Sequence, residues 1–205
     1  MWPTRETAAD LLARATVGGL FVLLTIKLLE DFAETRHLTG LLLLVSEAMV
    51  VIYTIVRRRT SIVDRSIGAM VVTTLSLVGP VLLRPSSGPA LLPDVVTALI
   101  STVGLCLVIA GQVTLGRSFG IAPANRGVVD SGPYLLMRHP IYTGYLATHL
   151  AFLAAHPQPM NIAILAVADS ALVIRALLEE RVLGRDARYR SYCGRVGWHL
   201  LPRVF

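Results

Sequence analysis

Residues 140–178 read PIYTGYLATHLAFLAAHPQPMNIAILAVADSALVIRALL and hold two apolar runs on either side of a short connector. The runs cover residues 141–155 and 160–178, and the connector is His156-Pro157-Gln158-Pro159. Proline lacks a backbone N–H and is disfavoured inside helices, so two prolines this close together end one helix and begin the next. We therefore predict a helical hairpin in this part of the chain.

Four further apolar runs precede the hairpin, at residues 11–29, 38–56, 66–83 and 95–115. A helix of about 20 mostly apolar residues can cross a hydrocarbon core about 30 Å thick. The chain is 54% hydrophobic and only 16% charged, whereas soluble domains are about 25% charged. The sequence therefore predicts an all-α, polytopic integral membrane bundle of about six helices, and it excludes intrinsic disorder and a large soluble enzyme domain.

The formal net charge of +6 comes from basic residues clustered at the ends of apolar runs. Arginines follow the second run, the fourth run and the hairpin, and this pattern predicts an even number of crossings with both termini cytoplasmic. The arginine-rich, lysine-poor composition suggests a bacterial inner membrane. No basic face is interleaved with aromatic residues, so we expect no nucleic-acid partner. Two separated cysteines and scattered histidines predict no metal site, and the sequence leaves the oligomeric state open.

The hairpin also predicts a meeting of two polar clusters. Its centre lies between Pro157 and Gln158, so Arg138 and His139 lie at the depth of residues 177 and 176, within one helical turn of Glu179 and Glu180. Pro140 suits the first position of a helix, and the unpaired N–H groups of that first turn favour an anion.

Each of these residues also has an ordinary structural interpretation. Arg138 could be a topological anchor, and Glu179 could pair with Arg175 one helical turn earlier. The nearby tyrosines could belong to an interfacial aromatic belt. Two further ionisable residues, Glu47 and Asp169, fall within apolar runs, where a helix–helix hydrogen bond is the favoured role; His149 or Thr148 is the expected partner of Asp169.

The stretch Ser131-Gly132-Pro133-Tyr134-Leu135-Leu136-Met137-Arg138-His139-Pro140-Ile141-Tyr142-Thr143-Gly144-Tyr145 resembles the signature of the isoprenylcysteine carboxyl methyltransferase family. The wider superfamily includes phospholipid N-methyltransferases. A second matching block consists of Glu179-Glu180-Arg181, Tyr189, Tyr192, Arg195-Val196 and Pro202. The resemblance covers residues 104–205, and Gly197 departs from it where the family often has proline. We expect one membrane domain, in which residues 1–93 carry no motif and residues 94–205 form the catalytic part.

The resemblance implies methyl transfer from S-adenosylmethionine to a lipophilic acceptor at a site open to the cytosol. If the acceptor is a carboxylate, it is ionised at neutral pH and needs only a positive partner. Arg138 and Arg195 are the candidates, because a guanidinium forks onto a carboxylate, and Glu179 would orient an arginine. If the acceptor is an amine, Glu179 becomes a candidate base.

The resemblance also implies which residues bind the cofactor. The helix start at His139-Pro140 is expected to bind its carboxylate, and Glu180 its ribose hydroxyls or amino group. Tyrosine faces favour a sulfonium cation, and Gly144 would let the cofactor approach the helix closely. The full expected set is Gln112 as a pocket wall, Tyr134, His139, Pro140, Tyr142, Gly144, Tyr145 and Glu180.

Three functions are compatible with the sequence. The first is carboxyl O-methylation of an isoprenylcysteine-like substrate, and the second is N- or S-methylation of a phospholipid or other small molecule by the same kind of site. The third is a transporter or non-catalytic scaffold, which only Glu47 and Asp169 support. A transporter is disfavoured, because its midplane polar sites would be expected in matching halves of an inverted repeat, and no such repeat is visible.

Overall fold

The structure is a computed structural model that describes Gly19, Val22 and Ile26 and residues 38–84 and 88–205. The first predicted span, residues 11–29, therefore lies outside the described residues apart from those three positions. Within the described part of the chain the regular structure is helical, with a single isolated antiparallel bridge between Val63 and Ala124.

Six α-helices lie within residues 38–84 and 88–205. The predicted hairpin forms, and its second helix runs five residues beyond the predicted end at residue 178, so Glu179 and Glu180 lie inside the helix. The α-helices are α1 (Leu38–Val56), α2 (Ile67–Val78), α3 (Asp94–Leu115), α4 (Pro140–Ala155), α5 (Pro159–Leu183) and α6 (Ala187–Arg195), with short 3₁₀ turns at Gly79–Leu82, Gly116–Ser118 and Gly132–Leu135.

The limits of α2 follow from its sequence. The Ser66 side chain accepts a hydrogen bond from the N–H of Ala69 and caps the first turn, as serine commonly does at this position. The α-helix ends at Val78, earlier than the predicted residue 83, because Pro80 has no N–H to continue the ladder. The chain continues instead as the 3₁₀ turn Gly79–Leu82.

Two helical stretches, Asp94–Ser118 and Pro159–Leu183, are long and apolar enough to cross a membrane by length and composition. Ile67–Leu82 is a shorter apolar helix. Large apolar side chains such as Val103 and Leu150 are mostly exposed, an arrangement typical of a surface that contacts lipid. These features fit a membrane helical protein, although the six predicted spans reduce to two stretches of full spanning length among the described residues.

Among the helices that the structure describes, α3 and α4 share the most extensive contact. A Cβ atom added to Gly144 would lie 2.5 Å from the carbonyl oxygen of Gly104, and one added to Gly111 would lie 2.7 Å from Cγ1 of Ile141. Glycine at these positions lets the two backbones approach closely. The helices α4 and α5 approach each other over a shorter length, although they are joined by the hairpin connector.

Non-local backbone hydrogen bonds organise the polar end of the bundle, where α3 and α5 end and α4 begins. After α1 and α3, the chain segments pair through Arg58 N–H to the Arg117 oxygen, at 2.8 Å, and Asn125 N–H to the Ile62 oxygen, at 3.0 Å. At the opposite end of the hairpin, the Asn161 side chain donates to the carbonyl oxygens of Arg84 and His156. The hairpin is therefore fixed to the rest of the bundle at its tip.

Candidate functional site

The structure brings Arg138 and Glu180 together at the polar end. Arg138 lies just before α4 and Glu180 in the last turn of α5, and Nη1 of Arg138 donates to Oε2 of Glu180 at 2.9 Å. His139 Nε2 lies 3.0 Å from Oε1 of the same carboxylate. Both predicted clusters therefore meet, as the depth of the hairpin required.

The C-terminal segment, residues 196–205, covers this corner. The N–H groups of Arg138 and His139 donate to the carbonyl oxygens of Trp198 and His199, each at 2.9 Å. Nδ1 of His199 lies 2.6 Å from Oε1 of Glu180. A carboxylate is an acceptor, so both histidine nitrogens act as donors to it. Sequence reasoning missed His199. Backbone hydrogen bonds between segments about 60 residues apart bring His199 to this corner, and such contacts leave no local pattern in the sequence.

A cleft opens beside the corner and reaches between the helices. The space between its walls is about 930 Å³, including the part open to solvent. Its polar wall residues include three arginines, Glu179 and several tyrosines. The lining relevant here consists of Arg126, Arg138, Arg175, His139, Glu179, Tyr134, Tyr142, Tyr145, Tyr189 and Tyr192, together with apolar side chains such as Val50, Leu115, Phe119 and Ile141.

Glu179 faces this cleft and is bound by a tyrosine. The hydroxyl of Tyr142 donates to Oε2 of Glu179 at 2.7 Å. The alternative pairing of Glu179 with Arg175 is not what the structure shows, because no ion pair within 4.0 Å joins the two. Glu179 therefore presents a carboxylate with one hydroxyl partner to the cleft.

Arg175 is the functional candidate that sequence reasoning did not place in the cleft. Its side chain is buried, its Cζ lies 5.2 Å from the ring centroid of Tyr142, and Nη1 makes a long 3.4 Å contact with Oγ of Ser76. Among the described residues its Nε has no hydrogen-bond partner. The sequence does contain a signal for Arg175, because it lies inside an apolar run, four residues before Glu179. Ionisable residues within membrane-spanning runs usually mark a functional site.

Tyr134 forms a neutral wall of the cleft. It is buried in the 3₁₀ turn Gly132–Leu135, and its backbone oxygen accepts a 2.7 Å hydrogen bond from the hydroxyl of Tyr192. Burial raises the pKa of the Tyr134 phenol well above its ordinary value, and the nearby Glu179 carboxylate adds to the shift. The hydroxyl therefore stays protonated at neutral pH.

Four predicted cofactor residues do not line the cleft: Gln112, Pro140, Gly144 and Glu180. Gln112 is completely buried on α3, and neither of its amide atoms has a hydrogen-bond partner among the described residues. Pro140 is buried as the first residue of α4. Gly144 requires a correction, because it provides close approach of α4 to α3 and not of a cofactor to α4.

Glu180 and Arg195 also differ from the prediction. Glu180 lies behind the cleft wall, where Arg138, His139 and His199 surround its carboxylate. Arg195 is 61% exposed and its Nη2 donates to Oδ2 of Asp130 at 2.8 Å. Hydrogen bonds from Arg195 and Arg188 lower the pKa of Asp130 below its ordinary value. Arg195 is therefore engaged outside the cleft, on the surface of α6.

Comparison with known proteins adds one finding. Residues 94–186 match the model of a family described as phospholipid methyltransferase, and no curated protein sequence matches the chain. The matched region runs from the first residue of α3 to Asp186, which directly precedes α6, and so contains both polar clusters. The match supports the wider superfamily of membrane methyltransferases and a lipophilic substrate in a lipid environment. It does not distinguish an isoprenylcysteine from a phospholipid as the methyl acceptor.

Proposed function

We propose that this protein transfers a methyl group from S-adenosylmethionine to the carboxylate of a lipophilic, isoprenylcysteine-like acceptor. The observation that supports the carboxylate is the charge of the cleft. Three guanidinium groups, those of Arg126, Arg138 and Arg175, face one carboxylate, that of Glu179. The Glu180 carboxylate, which lies behind the cleft wall, compensates the positive charge of Arg138. The lining still carries more positive than negative charge, which favours an anionic acceptor.

The wall chemistry of the cleft suits the proposed cofactor. The rings of Tyr142 and Tyr145 line it, and aromatic faces attract cations. When bound, S-adenosylmethionine supplies an activated methyl group, and its transfer to an ionised carboxylate oxygen requires no proton removal.

We assign the binding of the cofactor to Tyr134, Tyr142 and Tyr145, which line the cleft, and to the first turn of α4 that follows His139. The backbone N–H of His139 already donates to the C-terminal segment, so the free N–H groups of the first helical turn remain for the carboxylate of the cofactor. Glu180 then acts indirectly, by holding Arg138 and His139 in place.

Arg175 is our candidate for positioning the acceptor. Its guanidinium is buried beside the cleft and stacks on Tyr142. A forked guanidinium can bind both oxygens of a carboxylate, and a buried, incompletely bonded guanidinium gains much from such a partner. This role replaces the one expected for Arg195, while Arg138 remains a cleft residue that can contact either the cofactor or the acceptor.

Phospholipid N-methylation is the second candidate, and the description of the matching family favours it. An amine acceptor must lose a proton, and Glu179, with its hydrogen bond from Tyr142, is the only carboxylate among the described residues that lines the cleft. It would serve as the base. The excess of arginines in the lining disfavours a cationic headgroup, so we rank this second.

A single assay separates these functions. Detergent-solubilised protein receives methyl-labelled S-adenosylmethionine with either an N-acetyl-S-farnesylcysteine probe or phosphatidylethanolamine vesicles. We expect label in the first product, released as methanol by base, because methyl esters hydrolyse whereas N-methyl groups do not. Label only in base-stable lipid would favour N-methylation. Absence of cofactor binding by the purified protein, measured by equilibrium dialysis, would reject both.

A further inference from the structure

A second polar cluster lies deeper in the hairpin, outside the lining of the cleft. Nδ1 of His149 on α4 lies 2.6 Å from Oδ1 of Asp169 on α5. Of the two partners expected for Asp169, the structure gives His149, whereas the hydroxyl of Thr148 donates to the backbone oxygen of Tyr145. The two side chains link helices that otherwise pack over a short length.

This pair has hydrogen-bonding capacity left over. With the Nδ1 proton donated to Asp169, a neutral His149 ring keeps Nε2 as an acceptor, and the carboxylate keeps Oδ2. Within residues 38–84 and 88–205, neither Nε2 of His149 nor Oδ2 of Asp169 has a hydrogen-bond partner. The pair therefore offers two acceptor atoms and suits a ligand group that donates a hydrogen bond.

The pair is connected to the cleft through Tyr145. The Tyr145 ring lines the cleft and stacks on the His149 ring, with centroids 6.5 Å apart and planes inclined by 18°. Tyr142, Tyr145 and His149 are spaced by three and four residues, so they share one face of α4. A polar track therefore runs along α4 from Tyr142, which binds Glu179, through Tyr145 to His149 and its partner Asp169.

The pair is also reachable from the side of the bundle. The side chains of His149 and Asp169 are 12% and 22% exposed, so the α4–α5 junction does not seal them. The neighbouring residues Leu150 and Val167 are exposed apolar side chains, which suits a surface in contact with lipid. A lipophilic molecule in the membrane can therefore meet the pair before its reactive end meets the cleft.

We propose that His149 and Asp169 bind a hydroxyl group carried by the lipophilic methyl acceptor. This inference rests on the proposed carboxyl methyltransferase function. A hydroxyl has one proton, which it can donate to Oδ2 of Asp169 or to Nε2 of His149, whereas a cationic donor would add to the positive charge of Arg175 on the same helix. Asp169 and Arg175 are six residues apart on α5, which separates them by about 9 Å along the helix axis and about 120° around it. The acceptor therefore carries its hydroxyl in mid-chain, at least about 9 Å from its carboxylate.

The pair does more than join two helices. Hydrogen bonds between membrane helices contribute little on average to stability, and Asn161 already clamps the hairpin at its tip. Asn161 therefore provides a matched control, because Asn161→Ala loosens the hairpin without touching the track. If the pair acted only by holding the helices together, this variant would reproduce the effect of changing it.

The test uses two competing probes, 8-hydroxyoctadecanoic acid and octadecanoic acid, which differ only in the mid-chain hydroxyl. Each is titrated as an inhibitor of labelled methyl transfer to the N-acetyl-S-farnesylcysteine probe or to a lipid extract, whichever the wild-type protein methylates. We expect the hydroxylated probe to inhibit about tenfold more strongly, as a hydrogen bond to a charged acceptor predicts. In His149→Leu and Asp169→Leu the two probes should inhibit about equally, whereas Asn161→Ala should keep the preference for the hydroxylated probe.

The outcomes separate this inference from the proposed function. A wild-type protein that shows no preference for the hydroxylated probe, or variants of His149 and Asp169 that keep it, would overturn the inference alone. Loss of the preference in Asn161→Ala as well would show a structural role and overturn it too. A wild-type protein that binds no cofactor and transfers no label would refute the proposed function and, with it, the inference. Because the readout is a ratio of two inhibition constants, it is insensitive to the fraction of each variant that folds.

Discussion

Oε1 of Glu180 lies 2.6 Å from Nδ1 of His199, and this contact joins the end of α5 to the C-terminal segment. The same oxygen lies 3.0 Å from Nε2 of His139. One carboxylate therefore connects the start of α4, the end of α5 and the C-terminal segment. The cleft beside it has a fixed wall only when all three are in place.

We predict that His199→Phe destabilises the polar end. Glu180 would lose one donor, and the free energy of unfolding should fall by about 1 kcal/mol. Binding of S-adenosylmethionine, measured by equilibrium dialysis, should weaken in parallel, since the segment also pairs with Arg138 and His139 through its backbone. Trp198→Ala is the control, because Trp198 contributes its backbone oxygen to this pairing. An equal loss of cofactor binding in both variants would contradict the prediction.

We predict that Arg175→Met lowers kcat/KM for the acceptor by about 100-fold, as loss of a charged hydrogen-bond partner implies. Arg175→Lys should recover only part of this, because an ammonium cannot bind both carboxylate oxygens. The dissociation constant of the cofactor should change by less than about twofold. Arg84→Met, which removes an exposed arginine side chain, should leave kcat/KM unchanged, and a similar loss there would refute the assignment.

We predict that Gly144→Ala destabilises the bundle through α3. The new Cβ would meet the Gly104 oxygen at 2.5 Å and Cγ2 of Val108 at 2.6 Å, and such overpacking costs about 1–3 kcal/mol. Gly68→Ala is the control, because a Cβ there meets nothing within 4 Å; it should be neutral or stabilise α2 by up to about 1 kcal/mol. Thermal unfolding measures both. Unchanged stability with weakened cofactor binding would restore the cofactor role first expected for Gly144.

We predict that acid loosens α6 through Asp130. Its pKa in the folded state lies below the ordinary value because Arg195 and Arg188 donate to it. The stabilisation is therefore complete above the unfolded pKa of about 3.9 and is lost as the pH falls through the lower, folded pKa. Hydrogen exchange of the α6 amides should accelerate over that range in the wild type. In Asp130→Asn exchange should already be faster at neutral pH, and the acid-dependent step should be smaller than in the wild type, because Asp186, which caps α6 and whose pKa is also lowered, still titrates.

Part of the site could be read from residue spacing alone. Two prolines fix the centre of the hairpin, so residues at equal sequence distances before and after that centre lie at the same depth. This placement brings together Arg138, His139, Glu179 and Glu180. Helical periodicity also argues against placing Gly144 in the cleft. Tyr142 and Gly144 are two residues apart, about 200° around the helix, so both could not face one cleft.

The sequence by itself determined the apolar helices, their order, the hairpin and the two polar clusters that it joins, because these depend on hydrophobicity, on proline and on counting along one chain. Tertiary structure decided which neighbour each helical face meets. It turned Gly144 towards α3, directed Arg195 to Asp130, and brought Arg175 and His199 to the cleft and its corner. Those outcomes depend on packing between segments far apart in the chain, and no local pattern of residues records the direction in which a helix faces its neighbours.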